Sequence, residues 1–202
     1  VKFIKWDMTA AGSAASCAGA STDAFITNFV LEGFECLGPQ VGKATDTGAA
    51  FGPSANTSGW TFRRGKIMRW HSADGSPGAH CFYWQGDHGL IEDVECSDVN
   101  GYGLQYYGRG ISPDNNTMRS SRFHDFKLRG PVYIQANSIG NQIDGNRLYN
   151  FNASSRAVEL RGTNTKVSNN TIYNAGGTGI RAAWNSGCEA KNNIVYIPGG
   201  TP

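Results

Sequence analysis

Residues 166–184 read KVSNNTIYNAGGTGIRAAW. β-Branched residues, a pair of asparagines, a glycine cluster and a second short apolar run follow in that order. The order recurs. Residues 143–150 read IDGNRLYN, residues 118–125 MRSSRFHD and residues 190–197 AKNNIVYI. Asn146, Asn170 and Asn193 fall at equivalent places, with Ser121 one copy earlier, at successive spacings of 25, 24 and 23. Weaker copies precede them: LIEDVEC from Leu90, FRRGKIM from Phe62 and FVLEGFEC from Phe29.

A second run follows each copy: HCFYWQG from His80, GLQYYG from Gly103, PVYIQAN from Pro131, AVELRG from Ala157 and GIRAAW from Gly179. These alternate with period 2, the periodicity of short strands. A repeat of this length marks an architecture built by stacking. No long run at 3.6 spacing is present, so the stacked unit is strands broken by Gly and Asn. The expected fold is all-β, a solenoid of parallel strands in a single domain over residues 1–202. The repeats suggest about seven to eight coils, with an Asn ladder at one turn.

This pattern resembles the right-handed parallel β-helix of the pectin-lyase-like superfamily, firmly from about Leu90 to Ile197 and more loosely before. In that family stacked asparagines hydrogen-bond along the solenoid. Asn tolerates left-handed backbone angles, and its amide both donates and accepts. The resemblance also implies a working groove on the strand after the Gly-rich loop. Alternation assigns Cys81, Tyr83, Leu104, Tyr106, Val132, Ile134, Val158, Leu160, Ile180 and Ala182 inward. It assigns Phe82, Trp84, Gln105, Tyr107, Tyr133, Gln135, Glu159, Arg161, Arg181 and Ala183 outward. Trp84, Tyr107 and Tyr133 would then stack on sugar faces. Gln105, Gln135 and Arg109 would bind hydroxyls and carboxylates.

The resemblance implies an extracellular, carbohydrate-active protein that binds an acidic polysaccharide and acts by β-elimination or epimerisation. Lyases of this superfamily use Arg or Lys as base and often Ca²⁺ or a second cation as neutraliser. Arg161 and Arg181 are the candidates for base and neutraliser, Glu159 for orienter or metal ligand, and Asp87–His88 for an acid/base pair at the groove edge. Glu159 is the one acid on the strip, so two-carboxylate hydrolysis is not supported. The signatures RxPxxR and DPH are absent.

Composition narrows the rest. The net charge of +2, with Lys and Arg scattered singly among 202 residues, does not suit a nucleic-acid binder. No apolar run reaches the length of a membrane-spanning helix, so a membrane is not an expected partner. No CxxC pair or His spacing marks a metal site. Among five cysteines, Cys17 with Cys36 and Cys81 with Cys96 are candidate bridges, with small buried thiols as the alternative. The opening VKFIKWDM carries no signal sequence and reads as a mature or excised piece of something longer. Strand edges at the two ends make end-to-end self-association, as in a filament or stalk without catalysis, the alternative to an enzyme. Residues 44–60 read as an irregular insertion.

Overall fold

The computed structural model describes residues 4–7, 17–19, 26–38, 48–72, 75, 77–107, 112–152, 154–175, 177–183 and 186–198. Within them every strand pairing is parallel, and no helix is present. The chain winds as a β-solenoid of about five regular turns. That is fewer than the seven to eight expected. Part of the 44–60 insertion lies outside the described residues.

Two sheets carry the coil. The larger has twelve strands and bends through the asparagine corner. Val30–Leu37, Thr61–Met68 and Leu90–Val99 run straight through that corner. In later turns it splits the strand in two, as in Gln142–Asp144 and Arg147–Phe151. The second sheet has seven strands, among them Phe82–Trp84, Leu104–Tyr106, Val132–Ile134, Arg156–Leu160 and Thr178–Ala182.

The corner explains the repeated asparagines. Ser121 N–H donates to Asn146 Oδ1 at 2.9 Å, Asn146 N–H to Asn170 Oδ1 at 2.9 Å, and Asn170 N–H to Asn193 Oδ1 at 3.0 Å. The amide nitrogens donate back to buried carbonyls, Asn146 to Met118 and Asn170 to Ile143. A sharp corner strips backbone groups of their ladder partners, and buried groups left unpaired are costly. The asparagines replace those partners. The left-handed residue is the one just before, at Ser120, Gly145, Asn169 and Asn192. Gly65 holds the equivalent place two turns before Ser121, because the Phe34 ring occupies the room of a side chain.

A second ladder, not read from the sequence, lines the corner between the sheets. Gly89 N–H donates to Asn116 Oδ1 at 2.7 Å and Asn116 N–H to Asn141 Oδ1 at 2.9 Å. Its signal is present in NTM, NQI and TKV from Asn116, Asn141 and Thr165, each just ahead of a named repeat.

The interior runs from aromatic to aliphatic along the axis. Phe34, Phe51, Phe62, Phe82 and Trp84 pack together in the N-terminal turns. Ile143, Leu148, Val158, Val167 and Ile172 fill the later ones. Disulfides Cys17–Cys36 and Cys81–Cys96 tie the sheets together in the aromatic half. Cys188 is a free thiol that donates to the Gly162 carbonyl.

Two rows of charge run along the outer face of the larger sheet. In the first, register places Glu32, Arg63, Glu92, Arg119 and Asp144 side by side in successive turns. In the second, Glu35, Lys66, Glu95 and Arg122 do the same. Sign alternates at every step. Arg63 reaches Glu32 at 2.7 Å, Arg119 reaches Glu92 at 2.6 Å and Arg122 reaches Glu95 at 3.0 Å. Opposite charges facing across strands stabilise the pairing, and like charges oppose it.

Candidate active-site cleft

The outer face of the second sheet carries a row of polar and aromatic residues. Register aligns Tyr83, Gln105, Tyr133, Glu159 and Arg181. The first of these corrects the sequence reading. Phe82 and Trp84 point inward, 0% and 1% exposed, and Tyr83 points outward. Trp84 is a core residue with no face for a sugar, and its indole N–H donates to the Gly86 carbonyl at 3.0 Å. Ala183, assigned outward, is also buried.

Gln105, Tyr133, Glu159 and Arg161 come together with His80, Tyr102, Arg129 and Arg156 around a cleft of about 430 Å³. The last four stand just ahead of the strands or at their first residue, and the sequence reading missed them. Glu159 is only 5% exposed and lies between two guanidiniums. Arg156 donates to Oε2 at 3.0 Å, and Arg161 Nε to Oε1 at 3.1 Å. That hydrogen bond, with Tyr133 beside it, raises the Arg161 pKa.

Four rings form a pile along one wall. Tyr102 and Tyr133 stack at 5.0 Å, His80 and Tyr102 at 5.7 Å, and His80 and Tyr83 at 6.0 Å. The guanidinium of Arg129 lies 5.6 Å from the Tyr102 ring centre, and that of Arg161 5.6 Å from Tyr133. Burial pushes the Tyr102 phenol up. Burial, then the Arg129 charge, pulls the His80 pKa from 6.5 down to about 4. Nδ1 of His80 accepts the Tyr102 N–H at 2.8 Å, so the neutral ring carries its proton on Nε2. Three arginines against one glutamate and a neutral imidazole leave the cleft net positive.

His80 makes stability depend on pH. Its folded pKa lies below its unfolded value, so between about 6.5 and about 4 the unfolded chain binds the proton and the folded chain does not. Its contribution is complete above that window and is lost as pH falls through it. The thermal midpoint of wild type falls more steeply from pH 7 to pH 4 than that of His80→Gln. Parallel pH profiles for the two proteins sink the assignment.

The other sequence candidates are placed elsewhere. Arg181 is exposed on the next turn, in register with Glu159 and away from the cleft wall. Tyr107 tilts against Tyr83 with ring centres 5.0 Å apart. Gln135 stands at the end of its strand, and its buried Oε1 has no partner among the described residues. Asp87 and His88 belong to the far corner. Asp87 Oδ1 accepts the Asp114 N–H at 3.0 Å, and His88 is exposed with a left-handed φ of 54°. Neither touches the cleft, so they are not an acid/base pair at its edge. Arg109 lies outside the described residues. Among the described residues no group of three or more His, Cys, Asp or Glu is placed to hold a metal. Glu159, taken up by two arginines, does not fit a Ca²⁺ ligand.

A family model described as a right-handed beta helix region matches residues 54–200. No curated protein and no solved structure gives a significant match. The match covers well over half the chain, spans the turns that build the cleft, and agrees with the resemblance to the pectin-lyase-like superfamily. The chain belongs to the right-handed β-helix family.

Proposed function

We propose that the cleft binds an acidic polysaccharide and that the protein is an extracellular carbohydrate-active β-helix. The observation that carries this reading is the convergence of Arg129, Arg156 and Arg161 on a wall of stacked tyrosines. Rings give sugar C–H faces a platform, and guanidinium forks bind carboxylates in two-point fashion. Two disulfides support an oxidising compartment and thus secretion. β-Elimination or epimerisation is the chemistry such a cleft favours. Arg161, kept firmly protonated by Glu159, suits the neutraliser of a substrate carboxylate better than a base. Arg181, exposed one turn on, remains the candidate base.

The test is calorimetric titration with pectate, alginate and glycosaminoglycans, alongside absorbance in the unsaturated-uronate band and NMR for epimerised product. At least one polymer binds, and Tyr133→Ala weakens it by about 1 kcal/mol, roughly fivefold. Arg129→Ala weakens it by about tenfold or more, as expected for a lost charge-assisted contact. Binding that is untouched by either substitution removes the cleft from consideration. A second reading, a non-catalytic unit that associates end to end, is favoured by Ile194 and Tyr196, 66% and 65% exposed on an edge strand. Light scattering on the same samples decides it, since a chain monomeric at high concentration excludes that reading.

A further inference from the structure

The alternation of charge on the larger sheet fails at one place. The row Glu35, Lys66, Glu95, Arg122 continues in register to Arg147, so two arginines face each other on neighbouring strands. Neighbouring strands lie about 4.8 Å apart. Like charges so placed oppose pairing, and a local rule broken in an otherwise consistent pattern points to a site.

Among the described residues no carboxylate forms an ion pair with Arg147. Asp144, the acid closest in sequence, has its Oδ1 taken by Ser168 Oγ at 2.6 Å and Asn169 Nδ2 at 2.8 Å. Glu95 holds Arg122 at 3.0 Å and is shared with Lys66 and His124. The next residue along the row after Arg147 is Thr171, which carries no charge. Among the described residues Arg147 makes no ion pair.

The two arginines border a notch of about 390 Å³ at the asparagine corner. Ser120, Ser121, Gly145 and Asp93 complete it. Gly145 keeps it open: a side chain there would meet nothing nearer than the Ser120 nitrogen at 4.0 Å. The Ser120 side chain is exposed at the rim. Asp93 brings one negative charge against two positive ones.

We propose that this notch is an oxyanion site, taking a sulfate or phosphate group, free or as an ester, between Arg122 and Arg147. Each guanidinium offers a fork to the anion, and the anion supplies the negative charge that the row lacks at this step. The site lies on the larger sheet, and no cleft residue borders it, so it stands independently of the polysaccharide reading.

Titration with inorganic sulfate, inorganic phosphate and glucose 6-sulfate, against chloride at matched ionic strength, tests it. Wild type shows saturable binding of at least one of them and a thermal midpoint raised beyond that in chloride. Response to the ester alone assigns the notch to an esterified ligand, and equal response to the inorganic ions assigns it to a free ion. Arg147→Gln weakens the response tenfold or more, whereas Arg129→Gln, in the cleft, leaves it in place. Arg147→Glu restores the alternation: its midpoint in chloride rises above that of wild type, and the anion response disappears. Wild type and Arg147→Gln responding alike, or no saturable response in wild type, overturns the proposal.

Discussion

Trp84→Ala lowers the stability of the fold by about 3–5 kcal/mol, the cost of removing a large aromatic from a packed interior. The indole meets Phe62 edge-on at 5.6 Å and Tyr106 at 6.4 Å, and bonds the Gly86 carbonyl. Gly89 has no side chain because the indole fills that space. No smaller residue repacks such a void, since the surrounding backbone is fixed by ladders on two sheets. Tyr83→Ala, one residue earlier and facing out, costs under about 1 kcal/mol, as surface changes usually do. Urea unfolding with an unchanged slope separates them. A larger loss at Tyr83 than at Trp84 places the strand in the opposite register, because a one-residue slip exchanges its faces.

Asn146→Ala is the second large effect. The substitution leaves the Ser121 N–H and the Met118 carbonyl without partners inside the corner, and breaks the amide contact with Asn170 at 3.0 Å. Each orphaned buried group costs about 1–3 kcal/mol, so the total is about 3 kcal/mol. Asn146→Asp keeps an acceptor for Ser121 but turns the donor to Met118 into a buried carboxylate, so it destabilises at neutral pH and recovers in part as acid protonates it. Equilibrium unfolding gives the loss, and hydrogen exchange at Ser121 localises it. A loss under 1 kcal/mol with Ser121 still protected means that the ladder is dispensable.

Much of this was legible because the corner imposes one residue type on successive turns. Asn146, Asn170 and Asn193 announced both the period and the stacking. The face of each strand was legible only where a polar residue set the phase. Gln105 and Glu159 each sit between two apolar neighbours, and those strands were read in the correct register. Around Arg181 the alternation holds only as far as that residue, since Ala182 is exposed and Ala183 buried. Phe82, Tyr83 and Trp84 are all large and apolar, so period 2 has no phase there, and the outcome depends on whether Trp84 or Tyr83 fits beside Phe62 and Gly89. The cleft was half legible for a related reason. Tyr133, Gln105, Glu159 and Arg161 lie on strands or at their ends. His80, Tyr102 and Arg129 lie in the turns ahead of them, where no periodicity reports which way a side chain faces. The bridges Cys17–Cys36 and Cys81–Cys96 were candidates by proximity in sequence, but only the stacking of turns brings each pair within reach.

The alternating rows have a bearing on how such a chain grows or shrinks. A solenoid gains and loses length by whole turns. Excising the turn that bears Glu92 and Glu95 sets Arg63 against Arg119 and Lys66 against Arg122, two like-sign collisions at once. Excising it together with the turn that bears Arg63 and Lys66 sets Glu32 against Arg119 and Glu35 against Arg122, and the alternation closes up as before. Charge therefore gives the stack a parity: across this stretch, turns are interchangeable in twos and not singly.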